Sequence, residues 1–267
     1  TAAVTVGGWT ANGFTVTMRP ASGQGIKDHA NRLTNALRWD ASLGAALTNS
    51  ASYADAYVLS GTGLALQDLQ LRATHATAGC VVRPGSGLTI SRCILWKSSG
   101  GYAVTQASNV TINDSLLVNG NGSGVQVVGD NVAVDNCTIA TVAAGGTGVQ
   151  QSYTQSIPPR FRNTVFWNFG TDVQGTTSAS TTNNATSKAS FGGTGWGTSG
   201  QTSVTSADCE NVSSGTEDFR IAAGSTTAIN TGATAVGSGA DVVNTTRTGT
   251  LDIGAWEFAA GGGGTSS

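Results

Sequence analysis

The feature that most constrains this chain is a pattern that recurs five times between Leu64 and Phe166. Each unit opens on a triplet: Leu64-Ala65-Leu66, Leu88-Thr89-Ile90, Val110-Thr111-Ile112, Val132-Ala133-Val134 and Pro159-Arg160-Phe161. Three and five residues past each triplet stand Leu69/Leu71, Cys93/Leu95, Ser115/Leu117, Cys137/Ile139 and Thr164/Phe166. The steps from Leu66 to Ile90 (24), to Ile112 (22), to Val134 (22) and to Phe161 (27) centre on two dozen residues. A repeat of that length, built of short runs, is a solenoid signature, because one unit cannot bury its apolar face alone.

Alternation within the runs is strand-like, since successive side chains on a strand point to opposite faces. Two residues between the runs break the alternation, so the chain must turn a corner at Asp68, Arg92, Asp114, Asn136 and Asn163, mostly residue types suited to a bend. Gly79, Gly101, Gly124 and Gly148 precede successive units at a nearly fixed phase, as sharp turns require. No unit has room for a crossover helix. Like strands of successive turns therefore stack in parallel, about 4.8 Å apart, into a β-helix. That register predicts one interior file holding Cys93, Ser115 and Cys137, and another holding Leu95, Leu117 and Ile139.

A chain of 267 residues with 10% charged residues and 38 glycines fits a single long solenoid better than an ordinary globular domain. A net charge of -2 argues against a nucleic-acid partner, and no apolar run approaches the roughly 20 residues that span a bilayer. No secretory signal is visible. Cys93 and Cys137 fall two turns apart, about 9–10 Å, too far for a disulfide, and they read as small buried apolar residues. No cysteine or histidine spacing supports a metal site, and no cofactor is expected.

In chain order, residues 1–52 carry short strands and then Ile26, Ala30, Leu33 and Leu37 at helical spacing, which predicts a helix over Gly25–Trp39 capping the front of the solenoid. Residues 53–257 form the β-helix, including a Ser/Thr/Gly/Asn-rich stretch over Thr176–Ser206, and 258–267 read as a flexible tail. Gly195-Trp196-Gly197-Thr198-Ser199-Gly200 fits a dinucleotide glycine pattern, but no strand–helix unit frames it.

Near the end, Asp218-Phe219-Arg220-Ile221, Gly224-Ser225-Thr226-Thr227-Ala228-Ile229-Asn230-Thr231-Gly232 and Asp252-Ile253-Gly254-Ala255-Trp256-Glu257 stand in succession. This segment resembles the close of bacterial and phage right-handed parallel β-helix proteins of the pectate-lyase-like repeat family. Thr227 stands where that family usually has proline. The front, Thr15 through Gly25 and on to Leu37-Arg38-Trp39, looks more loosely like the start of phage tail and appendage β-helices. The resemblance implies a right-handed β-helix and association with a virion, in a family that includes both enzymes and inert scaffolds.

For chemistry, stacking places Asn113, Asp135 and Arg162 in one outward column beside the corner residues Asp114 and Asn136. Asp114 and Asp135, about one strand spacing apart, with Arg162 one turn on, are the candidate catalytic set for a glycosidase or lyase. The competing reading is an exposed ion pair of Asp135 with Arg162, worth under about 1 kcal/mol. The outward side of the second run is apolar at Ile94, Trp96, Leu116, Val118, Val165 and Trp167. Such a strip marks a contact surface. It can be covered by the chain's own Thr176–Gly215, pack against further copies in a trimer or against other virion proteins, or present Trp96 and Trp167 to sugar rings. The sequence thus predicts a non-catalytic structural protein on a virion surface or outside the cell. The alternatives are a polysaccharide depolymerase and a bacterial surface adhesin, both facing host surface polysaccharide.

Overall fold

The computed structural model describes residues 4–6, 14–29, 35–50, 55–76, 79–192, 194–196, 198–233, 239–247 and 249–258. The chain winds into six complete coils of three strands each. They are β1 (Val4–Val6), β2 (Val16–Met18) and β3 (Ala46–Asn49); β4 (Tyr57–Leu59), β5 (Leu64–Gln67) and β6 (Gln70–Ala73); and β7 (Cys80–Pro84), β8 (Thr89–Ser91) and β9 (Ile94–Lys97). Then come β10 (Tyr102–Ala107), β11 (Thr111–Asn113) and β12 (Leu116–Asn119); β13 (Ser123–Val127), β14 (Ala133–Asp135) and β15 (Thr138–Thr141); and β16 (Thr147–Gln151), β17 (Arg160–Arg162) and β18 (Val165–Trp167). A partial seventh coil contributes β19 (Thr171–Gln174) and β20 (Ala185–Thr186). Strands of like position pair in parallel into three sheets, a first running from β1 to β19, a second from β2 to β17 and a third from β3 to β20. The fold is an all-β parallel β-helix.

The expected register holds. Leu66, Ile90, Ile112, Val134 and Phe161 pair in one column, and Leu71, Leu95, Leu117, Ile139 and Phe166 in another, all essentially inaccessible. Burying each such side chain is worth about 1.5–3 kcal/mol, so the stack is the main source of stability. Cys93, Ser115 and Cys137 share the predicted interior file as free thiols and a hydroxyl, and Ser115 Oγ accepts from the Cys93 amide at 3.1 Å. Lys97 is also buried. Its ammonium donates to the carbonyls of His75 and Ser99, closing a turn as Asn119 does one coil later with its amide.

Each sharp corner between the second and third sheets needs a left-handed residue. Asp68, Arg92, Asp114, Asn136 and Asn163 all have φ between 48° and 57°. Asparagine and aspartate reach that region at least cost among residues with a side chain. The corners also bond to one another: Asn136 donates to Asp114 and Asn163 to Asn136, both at 3.0 Å, while Arg92 pairs with Asp68 at 2.7 Å.

The periphery adds detail. The Ser/Thr/Gly/Asn-rich stretch after β19 continues as irregular coils that form the back wall, in keeping with its place in the β-helix. Bridges Thr176↔Thr194 and Ala185↔Gln201 continue the winding, and Trp196 packs on Phe161, Phe166 and Phe191 to close the interior. Among the described residues the front helix covers Ile26–His29, and Ala30 and Leu33 lie outside them. Leu37 is not helical because its N–H bonds Asp218 and its carbonyl accepts from Phe219. The segment's described residues Ile26 and Leu37 form an arm against the outside of the third sheet, and among the described residues Phe14, Val16 and Leu47 at the front are exposed.

The outward strip is no free surface. Ile94, Leu116, Val118, Val165 and Trp167 are buried beneath Ile26, Leu37 and a closing segment that includes Val204, Phe219, Ile221, Ala228, Val242, Ile253, Ala255 and Trp256. Strands β21 (Cys209–Asn211) and β22 (Asp218–Ile221) form an antiparallel hairpin within that cover. The contact surface expected for another copy is filled by the chain itself, and mostly by residues beyond the stretch expected to reach it. Of the six, only Trp96 remains half-buried at an edge.

Candidate functional site

The predicted catalytic set does not assemble. Asp114 and Asp135 sit on neighbouring coils, the Asp114 amide donating to the Asp135 carbonyl at 3.0 Å, but their side chains part at the corner. The Asp114 carboxylate is fully buried against Arg247 at 3.2 Å, and Arg247 also meets Glu257 at 2.9 Å. No substrate can reach it. Asp135 lies on the outer face of the second sheet and accepts from Arg160 at 2.8 Å and from Arg162 at 2.9 and 2.7 Å. The pair with Arg162 is therefore bidentate, joined by a second arginine, and its carboxylate is nearly buried. That makes it stronger than the exposed pair the sequence suggested. Both donors thus hold the oxygens of the one acid.

A different site forms where the strip runs out from under its cover. One outward column of the third sheet reads Thr48, Arg72, Trp96, Val118, Ala140 and Trp167 by direct pairing. The closing segment covers it from Val118 onward and leaves Arg72 and Trp96 as the floor of a groove of about 740 Å³. Arg38, Trp39 and Asp40 of the arm line one side, and Ser214, Gly215 and Glu217 of the closing segment line the other.

Hydrogen bonds fix this shape before any ligand arrives. The buried Gln70 amide donates to the carbonyls of Asp40 and Leu43, both at 2.8 Å, and its oxygen accepts from the Asp40 amide, pinning the arm to β6. Arg38 reaches across to the Gly215 carbonyl at 2.9 Å, and Leu37 donates to Asp218 at 2.9 Å. The Arg72 guanidinium lies 4.6 Å over the Trp39 ring, a cation–π contact, and donates to Ser98 Oγ at 3.3 Å. Trp39 Nε1 is buried with no acceptor.

The two acids of the groove face their own loops. Asp40 accepts from the Ser42 hydroxyl at 2.6 Å and from its amide at 2.9 Å, which together lower its pKa. Glu217 is buried and accepts from the Gly215 amide at 2.7 Å. Two indoles, two guanidiniums and fixed polar groups around an open cleft are the makings of a small-molecule or saccharide site. Among the described residues, no group of three or more His, Cys, Asp or Glu could hold a metal ion. Sequence reading had put Trp96 in the outward strip. It missed Trp39, Asp40 and Glu217, which join it only through contacts between distant parts of the chain.

Residues 35–166 match the family described as the right handed beta helix region. The chain adopts the right-handed β-helix fold. The match begins in the arm that carries Arg38 and Trp39 and ends within β18, so it spans most of the β-helix but not the closing segment. No curated protein and no solved structure matches the β-helix protein.

Proposed function

We propose that this β-helix protein is a non-catalytic surface scaffold that holds a saccharide in the groove between Trp39 and Trp96. The observation that carries the reading is the pairing of these two indoles with unblocked hydrogen-bonding groups in a cleft already braced by Gln70 and Arg38. Indole faces pack on the C–H face of a pyranose ring, and the surrounding donors and acceptors meet its hydroxyls. The acids support the non-catalytic part of the reading. A glycosidase pair needs one carboxyl held protonated, whereas Asp40 is driven the other way and Glu217 is turned to Gly215. The setting proposed is a phage particle, as a spike, fibre or decoration protein, and it rests on the resemblance of the Asp218–Glu257 segment.

The test is binding and chain length together. Titrating the protein into oligosaccharides from bacterial capsules should show saturable binding that falls about tenfold or more in Trp96→Ala. The glycan should emerge with its length unchanged. Release of reducing ends, lost in Asp40→Asn or Glu217→Gln, would replace the scaffold with a depolymerase.

A further inference from the structure

From the same groove, and resting on the reading of it as a saccharide site, we infer that the sugar it takes is anionic, with Arg72 and Arg38 reading its carboxylate or sulfate. The inference comes from how this chain disposes of its arginines. Arg83, Arg92, Arg160, Arg162, Arg220 and Arg247 each meet a carboxylate within 3.3 Å. Arg38 and Arg72 do not. Arg38 donates to a carbonyl, and Arg72 is held by a serine hydroxyl and an indole face. Both line the groove.

Acids are present in the groove, yet neither forms an ion pair with Arg72. Asp40 commits Oδ1 to Ser42 and feels the charge of the neighbouring Arg38 only as its smallest influence, and Glu217 commits one oxygen to the amide of Gly215. In a chain with a net charge of -2 and few charges of any kind, a part-buried guanidinium such as Arg72, which makes no ion pair among the described residues, is an exception, and Arg38 beside it makes no direct one. Arg72 is also oriented, since the Trp39 ring beneath it and Ser98 beside it limit its rotamers. A planar guanidinium held this way presents its remaining N–H groups as a fork, the geometry that binds carboxylate or sulfate oxygens in pairs. A sugar stacked on Trp96, the next residue of the same column, would set its substituent beside Arg72. Neutral glycans would leave both charges unmatched.

The experiment compares oligosaccharides differing only in charge. The intact protein would be titrated by calorimetry with oligogalacturonate, with the same oligosaccharide after reduction of its carboxyls, and with a sulfated galactan oligosaccharide. Binding to the acidic form, at least tenfold weaker after reduction, is the expected result. The sulfated arm tells a carboxylate reader from a general anion reader. Arg72→Gln should abolish the preference between charged and reduced forms, and Arg72→Lys should restore part of it, because lysine keeps the charge and loses the fork. Arg38→Gln, further from the Trp39 ring contact, gives an independent loss of charge, with the folded state checked by its thermal transition. Equal binding of charged and reduced forms overturns the inference and leaves the saccharide site standing. No binding of any of them overturns both.

Discussion

The coils between Leu64 and Phe166 and the closing segment after Val204 bury apolar side chains to the same depth, yet they are held by opposite means. Leu95 and Leu117 are as inaccessible as Ile253 and Ala255. In the coils, each residue meets its equivalent one turn away, so every contact is repeated. In the closing segment each contact occurs once. Arg247 ties to Asp114 and Glu257, Asn163 exchanges bonds with Ala233, and the Ala255 amide donates to Thr138. A ladder shares damage among neighbours, whereas a set of single contacts is lost at one point.

The largest effect should therefore come from Arg247→Ala. It strands the buried Asp114 carboxylate and removes a tie to Glu257, a change of about 3–5 kcal/mol. Limited proteolysis should then cut after Val204 while the coils persist as a resistant fragment. Simultaneous loss of both regions would mean they unfold as one unit. Leu117→Ala, in the middle of the ladder, should cost about 2–3 kcal/mol, the low end for a buried leucine, as flanking columns relax toward the gap. A midpoint shift in chemical denaturation beyond that of Arg247→Ala would reverse the comparison. Asn136→Ala, which gives up a left-handed asparagine and two corner bonds, should cost about 1–3 kcal/mol.

The difference between the two regions is also a difference in what could be read. Register, corners and the Cys93–Ser115–Cys137 file were legible because periodicity writes the same answer five times. Trp196 was visible only as a chance glycine motif, since a residue that plugs an end has no counterpart to align with. The strip at Ile94, Leu116 and Val165 announced that something covered it. What covered it was hidden, because Arg247 and Asp114 lie 133 positions apart and no period connects them. The helical spacing of Ile26 and Leu37 misled for a related reason. Both face one apolar surface, but Leu37 gives its backbone bonds to the closing segment instead of to a helix.

Two smaller effects probe the regions separately. Asp172 is buried at the back of the coils beside Thr186, and desolvation raises its pKa from an ordinary 3.8. The folded chain thus keeps that proton to higher pH than the unfolded chain does. Its share of stability is greatest below the unfolded value and falls as pH rises through the folded one. Asp172→Asn should flatten that slope and raise the melting temperature at neutral pH, and an unchanged profile would refute the charge penalty. Burial pushes the Cys93 and Cys209 thiols up to about 12 and Cys80 and Cys137 well above the ordinary value, so native alkylation at pH 8 should be slow at all four. Cys209, in the singly tied region, should react first, followed by the ladder thiols Cys93 and Cys137. The reverse order would place the weaker hold in the coils.

The bond between Leu37 and Asp218 bears on how the protein is made. Leu37 and Asp218 are joined across 181 positions, so the arm leaves the ribosome long before the partner that holds it. Through most of translation the greasy outer flank of the third sheet stands uncovered, an invitation to clumping that lasts until the hairpin arrives. The groove, whose far wall is Ser214, Gly215 and Glu217, exists only in a nascent chain that has passed that point. Capture of the proposed saccharide would then report that synthesis has reached the hairpin and that it has docked.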